Sequence, residues 1–171
     1  MSPNPRASAL LLSLLLLAPG LAWAKTSDRN QDMTIESDGQ NGDLNDNGTN
    51  VWTGNVLLKQ GTLSINASRA ELRQRNGDPS YAVLTGKQVK LRQQLDDGSW
   101  MDATADRMEY DLSGEVITFI GNYCVKSDKG SNCGQKMVYN TKTSGIQAGG
   151  DGSRVRTVIK PKSAQQTKAK P

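Results

Sequence analysis

The sequence predicts an all-β protein built from repeated antiparallel hairpins, and three observations predict it. A stretch recurs three times: a Gly-led strand, a turn, then a strand opening on a small residue, first seen as TGNVLLKQGTLSINASRAEL from Thr53 to Leu72. Gly54, Gly86 and Gly121 begin the copies, 32 and 35 residues apart, and Ala67, Ala105 and Gly134 open their second halves. The two marks lie 13 residues apart in the first and third copies and 19 apart in the second, with the extra residues expected around its turn. Units of this size each need a neighbour to bury a face. Apolar and polar residues alternate with a period of two, and no segment carries a 3.6-residue apolar period. Turn chemistry such as Asn76-Gly77, Asp96-Asp97-Gly98 and Ser113-Gly114 separates the alternating runs.

Taken in order, residues 1–24 read as a cleaved signal peptide. Arg6 supplies a basic start, Ala9 to Leu17 an apolar core, and Ala22-Trp23-Ala24 a small-x-small cleavage site with no cysteine beside it. The product from Lys25 is expected to leave the inner membrane, because no other segment is apolar enough to span one. Residues 25–32 are polar and expected to fray. Met33-Thr34-Ile35-Glu36 alternates, so Met33 and Ile35 share a face of the first strand. Asp43-Leu44-Asn45-Asp46-Asn47-Gly48 resembles a calcium loop superficially, but no Asp or Glu occurs between Asp46 and Glu71 to close one. Turn chemistry accounts for the same residues.

The repeats follow. Val56 and Leu58 alternate with Asn55, Leu57 and Lys59, Leu63, Ile65 and Ala67 with Thr62, Ser64 and Asn66, and Ala70 and Leu72 face away from Arg69, Glu71 and Arg73. In the second unit Val89 and Leu91 flank Lys90, and Met108, Tyr110 and Leu112 oppose Arg107, Glu109 and Asp111. The third ends at Met137 and Tyr139. Such strands have one dry and one wet face. Gly149-Gly150-Asp151-Gly152 is a joint, after which residues 155–159 read as a last strand in which Val155, Thr157 and Ile159 share a face. The folded domain is therefore 33–161, and 162–171 is a polar basic tail with too few apolar residues to fold.

Cys124 and Cys133 flank the turn Ser127-Asp128-Lys129-Gly130. A two-residue turn places them opposite and a three-residue turn offsets them, so a disulfide and two free thiols both stay open.

Charge and chemistry exclude several functions. Of 21 Lys and Arg, one leaves with the signal and six lie from Arg154 onward, so the stretch between holds 14 cations against 17 acids. The basic balance belongs to the tail, which argues against a nucleic-acid surface on the domain. With no histidine the usual general base and commonest metal ligand are missing. Asp96 with Asp97, or Asp102 with Asp106, could pair for sugar hydrolysis, but both sets fit turns and a solvated strand face. No enzyme, cofactor or metal is expected. Trp52 and Trp100 could serve as platforms in a carbohydrate- or peptidoglycan-binding module, the alternative reading. The apolar face is either an ordinary core or a surface for a long apolar ligand, and periodicity does not separate the two.

Several segments, in order, carry a resemblance. Ile35-Glu36-Ser37-Asp38, TGNVLLKQGTLSINA (Thr53 to Ala67), LTGKQVKL (Leu84 to Leu91), ADRMEYDL (Ala105 to Leu112), FIGNYCV (Phe119 to Val125) and RVRTVIKP (Arg154 to Pro161) resemble the OstA-type (LptA) family of periplasmic lipopolysaccharide transport proteins. The resemblance covers Met33 to Pro161. It implies a V-shaped, open, twisted antiparallel β-jellyroll in the periplasm, carrying lipopolysaccharide with its lipid A acyl chains in an apolar groove. It assigns lipid contacts to Met33, Ile35, Leu91, Tyr110 and Leu112. It also implies modules stacked edge to edge: Met33, Thr34, Ile35 and Glu36 toward an LptC-like inner-membrane partner, and Val155, Arg156, Thr157, Val158 and Ile159 toward an LptD-like outer-membrane partner or another copy. The cysteines have no required place in that pattern, and the polar stretch from Asp38 to Gly48 departs from the expected second strand.

Overall fold

Ten antiparallel strands form one sheet in the computed structural model, which describes residue 28 and residues 30–43 and 45–161. The expected signal segment and basic tail lie outside the described residues. The strands are β1 (Met33–Glu36), β2 (Gly39–Asn41), β3 (Thr49–Gln60), β4 (Leu63–Arg75), β5 (Asp78–Gln94), β6 (Trp100–Asp111), β7 (Val116–Ser127), β8 (Gly130–Asn140), β9 (Ile146–Ala148) and β10 (Arg156–Ile159). The path runs β1-β3-β4-β5-β6-β7-β8-β10, with β2 on β3 and β9 on β8, so β1 and β10 are its two ends.

The repeat marks turn out to be a seam. Pairing is interrupted between Thr53 and Val56, Asn66 and Arg69, Thr85 and Val89, Thr104 and Arg107, and Ile120 and Tyr123, and β8 shifts register beside the last of these. Gly54, Ala67, Gly86, Ala105 and Gly121 fall in those gaps, and Gly134, paired with Tyr123, borders the last of them. Extra residues in one strand bend it and sharpen its twist, so a line of bulges folds the sheet across its width. The device repeats in detail. Gly54 and Asn55 have φ of 75° and 45°, Gly121 and Asn122 of 74° and 44°. Asn55 donates to Asp38 and Asn122 to Asp106, each over 2.8 Å, while a Cβ on either glycine would collide with that same aspartate.

Folding along the seam makes two layers. One carries β1 and β10 at its edges, the other β2 and β9. In the β1–β10 layer an inward row runs Ile35, Leu58, Ile65, Leu91, Ala103, Val125, each opposite the next across successive strands. In the β2–β9 layer one row runs Trp52, Ala70, Leu84, Met108, Phe119, Met137, Ala148, and a second runs Asn50, Leu72, Ala82, Tyr110, Ile117, Tyr139, Ile146. Residues of both layers belong to one apolar core, so the two inward faces pack on each other. This is the open antiparallel jellyroll that the resemblance implies.

Local expectations fare differently. The wider spacing in the second repeat is taken up by the loop Leu95–Ser99 and the strand ends around it. Gly39–Asn41 does pair with β3, which settles where the polar segment goes. The oxygens of the calcium-like cluster serve turns: Asp43 accepts from the Asn45 N–H, and Asn47 from the Asn76 N–H. The stretch expected to fray is partly anchored. Asp28 is buried, its carboxylate accepts from the Thr62 hydroxyl, and Gly61 leaves room for it. Val155 is not in the last strand, contrary to expectation, since β10 starts at Arg156 opposite Cys133. Continuing that register, Val155 would face Gly134, which borders the seam. The turn at Asp128-Lys129 has two residues, which sets Cys124 opposite Cys133, and the two form a disulfide.

Candidate functional site

Each end of the layered sheet opens into a cleft beside its short edge strands, of mixed lining at the β1 end and mainly apolar at the β10 end. At the β1 end a cleft of about 370 Å³ is lined by Met33 and Ile35 from one layer and Asn50, Trp52, Leu72 and Gln74 from the other. Beside it a second opening of about 470 Å³ shares Met33 and Pro79 and adds Tyr110 and Leu112, with Asp32, Asp78 and Glu115 on its rim. At the β10 end Val125, Met137, Ile146, Thr157, Val158 and Ile159 line a cleft of about 280 Å³. Openings of this size are ordinary for an apolar ligand segment.

The positions expected to meet lipid separate by depth. Met33 and Ile35 are half-buried and pack against the core from the β1 edge. Tyr110 is 4% exposed and lies where the second opening meets the core; Leu112, just past the end of β6, is at its mouth. Leu91 touches no opening. It is 2% exposed, in mid-row between Ile65 and Ala103. All five face inward, but only a parting of the layers brings Leu91 to a ligand. Sequence reading missed Asn50, Gln74, Val125 and Ile146 as lining residues. It also weighed Trp52 only as a sugar platform, although Trp52 points into the cleft and continues the row of Ala70 and Leu84.

Among the described residues Asp28 is the only buried charged side chain. Burial pushes the Tyr123 phenol above its ordinary value, and its hydroxyl donates to Asn132 over 2.6 Å. The Gln93 carbonyl oxygen is buried without a hydrogen-bond partner among the described residues. On the outer face of the β2–β9 layer Tyr81 donates to Glu109 over 2.7 Å, and Arg107 pairs with the same carboxylate. The carboxylates weighed for sugar hydrolysis are engaged locally. Asp97 accepts from Ser99 and pairs with Lys129, which hold it well below the usual carboxylate range, and Asp102 lies 3.6 Å from Arg92. Trp100, 40% exposed, has that Arg92 guanidinium 4.7 Å over its ring. Such a lining can shelter aliphatic chains.

Comparisons with known proteins agree with this geometry. Residues 34–144 match the family described as LptA/(LptD N-terminal domain) LPS transport protein. The lipopolysaccharide export system protein LptA of Haemophilus influenzae is 33% identical over 165 residues, covering 94% of this chain and 95% of the relative. The LptA of Escherichia coli K12 is 34% identical over 159 residues, covering 91% of this chain and 85% of the relative. The crystal structure of LptH, described as the LptA-homologous periplasmic component of the lipopolysaccharide transport device of Pseudomonas aeruginosa, superposes with a TM-score of 0.70 at 23% identity. That superposition covers 79% of this chain and 99% of the other.

Proposed function

Because the chain belongs to the LptA/LptD N-terminal domain family of lipopolysaccharide transport proteins, we propose that it is a non-enzymatic periplasmic carrier and bridge that moves lipopolysaccharide from the inner to the outer membrane. The observation that carries this reading is the set of inward apolar rows that cross the middle strands of both layers, with a cleft at each end of the sheet. Lipid A acyl chains lie along these rows, entered past Met33, Ile35, Tyr110 and Leu112, with Leu91 reached as the layers part. Each CH₂ taken from water contributes roughly 0.8 kcal/mol, so several chains bind firmly without a polar anchor. Phosphates and sugars stay outside, where the charged faces are.

The edges supply the bridge. β1 offers Met33 to Glu36 to an LptC-like inner-membrane partner, and β10 offers Arg156 to Ile159 to an LptD-like outer-membrane partner or another copy. Added strands gain main-chain hydrogen bonds at such edges. No nucleic acid is involved, and the driving energy comes from upstream.

A photoreactive residue at Met33 or Tyr110 tests the reading against that of a sugar-binding module. Crosslinks to lipopolysaccharide are expected, and they should be competed by lipid A but not by its deacylated sugar or by peptidoglycan fragments. Competition by sugars alone would favour the module instead.

A further inference from the structure

Resting on the groove reading above, we propose that Gln93 is a polar reading point inside the groove, where its side-chain oxygen selects acyl chains that carry a hydroxyl over plain ones. The position belongs to the inward line of β5. Val89, Leu91 and Gln93 are buried there and alternate with the exposed Lys90 and Arg92. Leu95, two residues on, packs against the same core. Gln93 is 8% exposed and stands opposite Met101 of β6, itself buried. Continuing the register of Ser64 on Arg92 sets it beside Leu63 of β4, also buried. An amide thus occupies a place that pattern and neighbours suit to an aliphatic side chain.

Its hydrogen bonding sets it apart. The carbonyl oxygen is buried and has no partner among the described residues. The next residue shows the ordinary case, since the Gln94 amide donates to the Gly98 carbonyl over 2.7 Å. Most buried polar side-chain atoms are hydrogen-bonded, and one left bare costs its full desolvation. The row also leads to an opening. Met33 opposes Gln60 and Gln60 opposes Leu63, and both Met33 and Gln60 line the opening of about 470 Å³. Paired strands lie about 4.8 Å apart, so Gln93 sits two strands, roughly 10 Å, from Gln60. A chain that enters past Met33 and follows this row crosses the Gln93 oxygen. In an empty groove water can serve that oxygen. A plain chain expels the water and leaves the oxygen bare, whereas a hydroxyl at that depth donates in its place. Selectivity therefore comes from the penalty on the plain chain as much as from the bond to the hydroxylated one.

Titration calorimetry of the chain from Lys25 to Pro171 tests the assignment with two monoacyl glucosamines. One carries a 3-hydroxytetradecanoyl amide and the other a tetradecanoyl amide. The unchanged chain is expected to bind the hydroxylated probe about ten-fold more tightly. Gln93→Leu is expected to bind the two equally, by gaining affinity for the plain probe, because an apolar side chain leaves no oxygen to strand. A second measurement needs no variant: the Gln93 Cδ resonance in the unchanged chain is expected to move downfield with the hydroxylated probe only. Equal affinity of the unchanged chain for both probes overturns the proposal. So does a Gln93→Leu chain that keeps the preference, or a Cδ resonance that answers both probes alike. Binding of both probes without preference removes the role of Gln93 and leaves the carrier reading intact. If neither probe binds the unchanged chain, the groove reading falls and takes this inference with it.

Discussion

Tyr81, Glu109 and Arg107 show how single side chains fix the outer face. The hydrogen bond from the Tyr81 hydroxyl lowers the Glu109 pKa and raises that of the phenol, with burial adding to the latter. The signs give opposite windows. Stability linked to Glu109 is whole above the ordinary carboxylate pKa and is lost as pH falls through the depressed one. Stability linked to Tyr81 is whole below the ordinary phenol pKa and is lost as pH climbs through the raised one. With no histidine in the chain, stability is expected to be flat across the neutral range. Tyr81→Phe should move the Glu109 carboxyl back toward its ordinary value in an NMR titration, and cost about 1 kcal/mol in urea unfolding, since the bond is only partly shielded from water. Neither partner is legible as a pair in the sequence, where they stand 28 residues apart; the register of β5 on β6 places them nearly opposite.

At the scale of elements, the hairpins were legible and the seam was half legible. Period-two alternation and turn dipeptides located β3 to β8, because a strand between two solvated turns must alternate to keep one face dry. The repeat marks were also visible. Their meaning was not, because a bulge is a relation between two strands. The trace it leaves is a change of phase: inward residues are odd at Leu63 and Ile65 but even at Ala70 and Leu72, and odd at Met101 and Ala103 but even at Met108 and Tyr110. Val155 was misassigned beside the same seam, which borders Gly134, the position it would face. The cysteine pair tests the β7–β8 hairpin. Replacing Cys124 and Cys133 with serine removes the closure of a nine-residue separation and is expected to cost about 2–3 kcal/mol. Amide exchange should rise in β8 and β10, next to the lost crosslink, and stay unchanged in β2.

For the whole molecule, the division of labour follows from one fold line. Bending a single sheet brings its two inward faces together as a core and leaves the shortest strands at both ends, where clefts remain. The order of motifs from Ile35 to Pro161 was enough to suggest this architecture, and the inward assignment of Met33, Ile35, Leu91, Tyr110 and Leu112 followed from alternation alone. Depth did not. That Leu91 lies in a closed interior while Met33 lines an opening depends on how the layers pack, which a periodic pattern does not encode. The central claim is that acyl chains lie along the inward rows. It is tested most directly by placing a photoreactive residue in turn at Thr34, Ile35, Lys90, Leu91, Glu109, Tyr110, Asp111 and Leu112 and measuring crosslinking to lipopolysaccharide. The account predicts a period-two pattern, with adducts at Ile35, Leu91, Tyr110 and Leu112 and none at their neighbours. Adducts on the outward neighbours, or equal labelling of both faces, would contradict it.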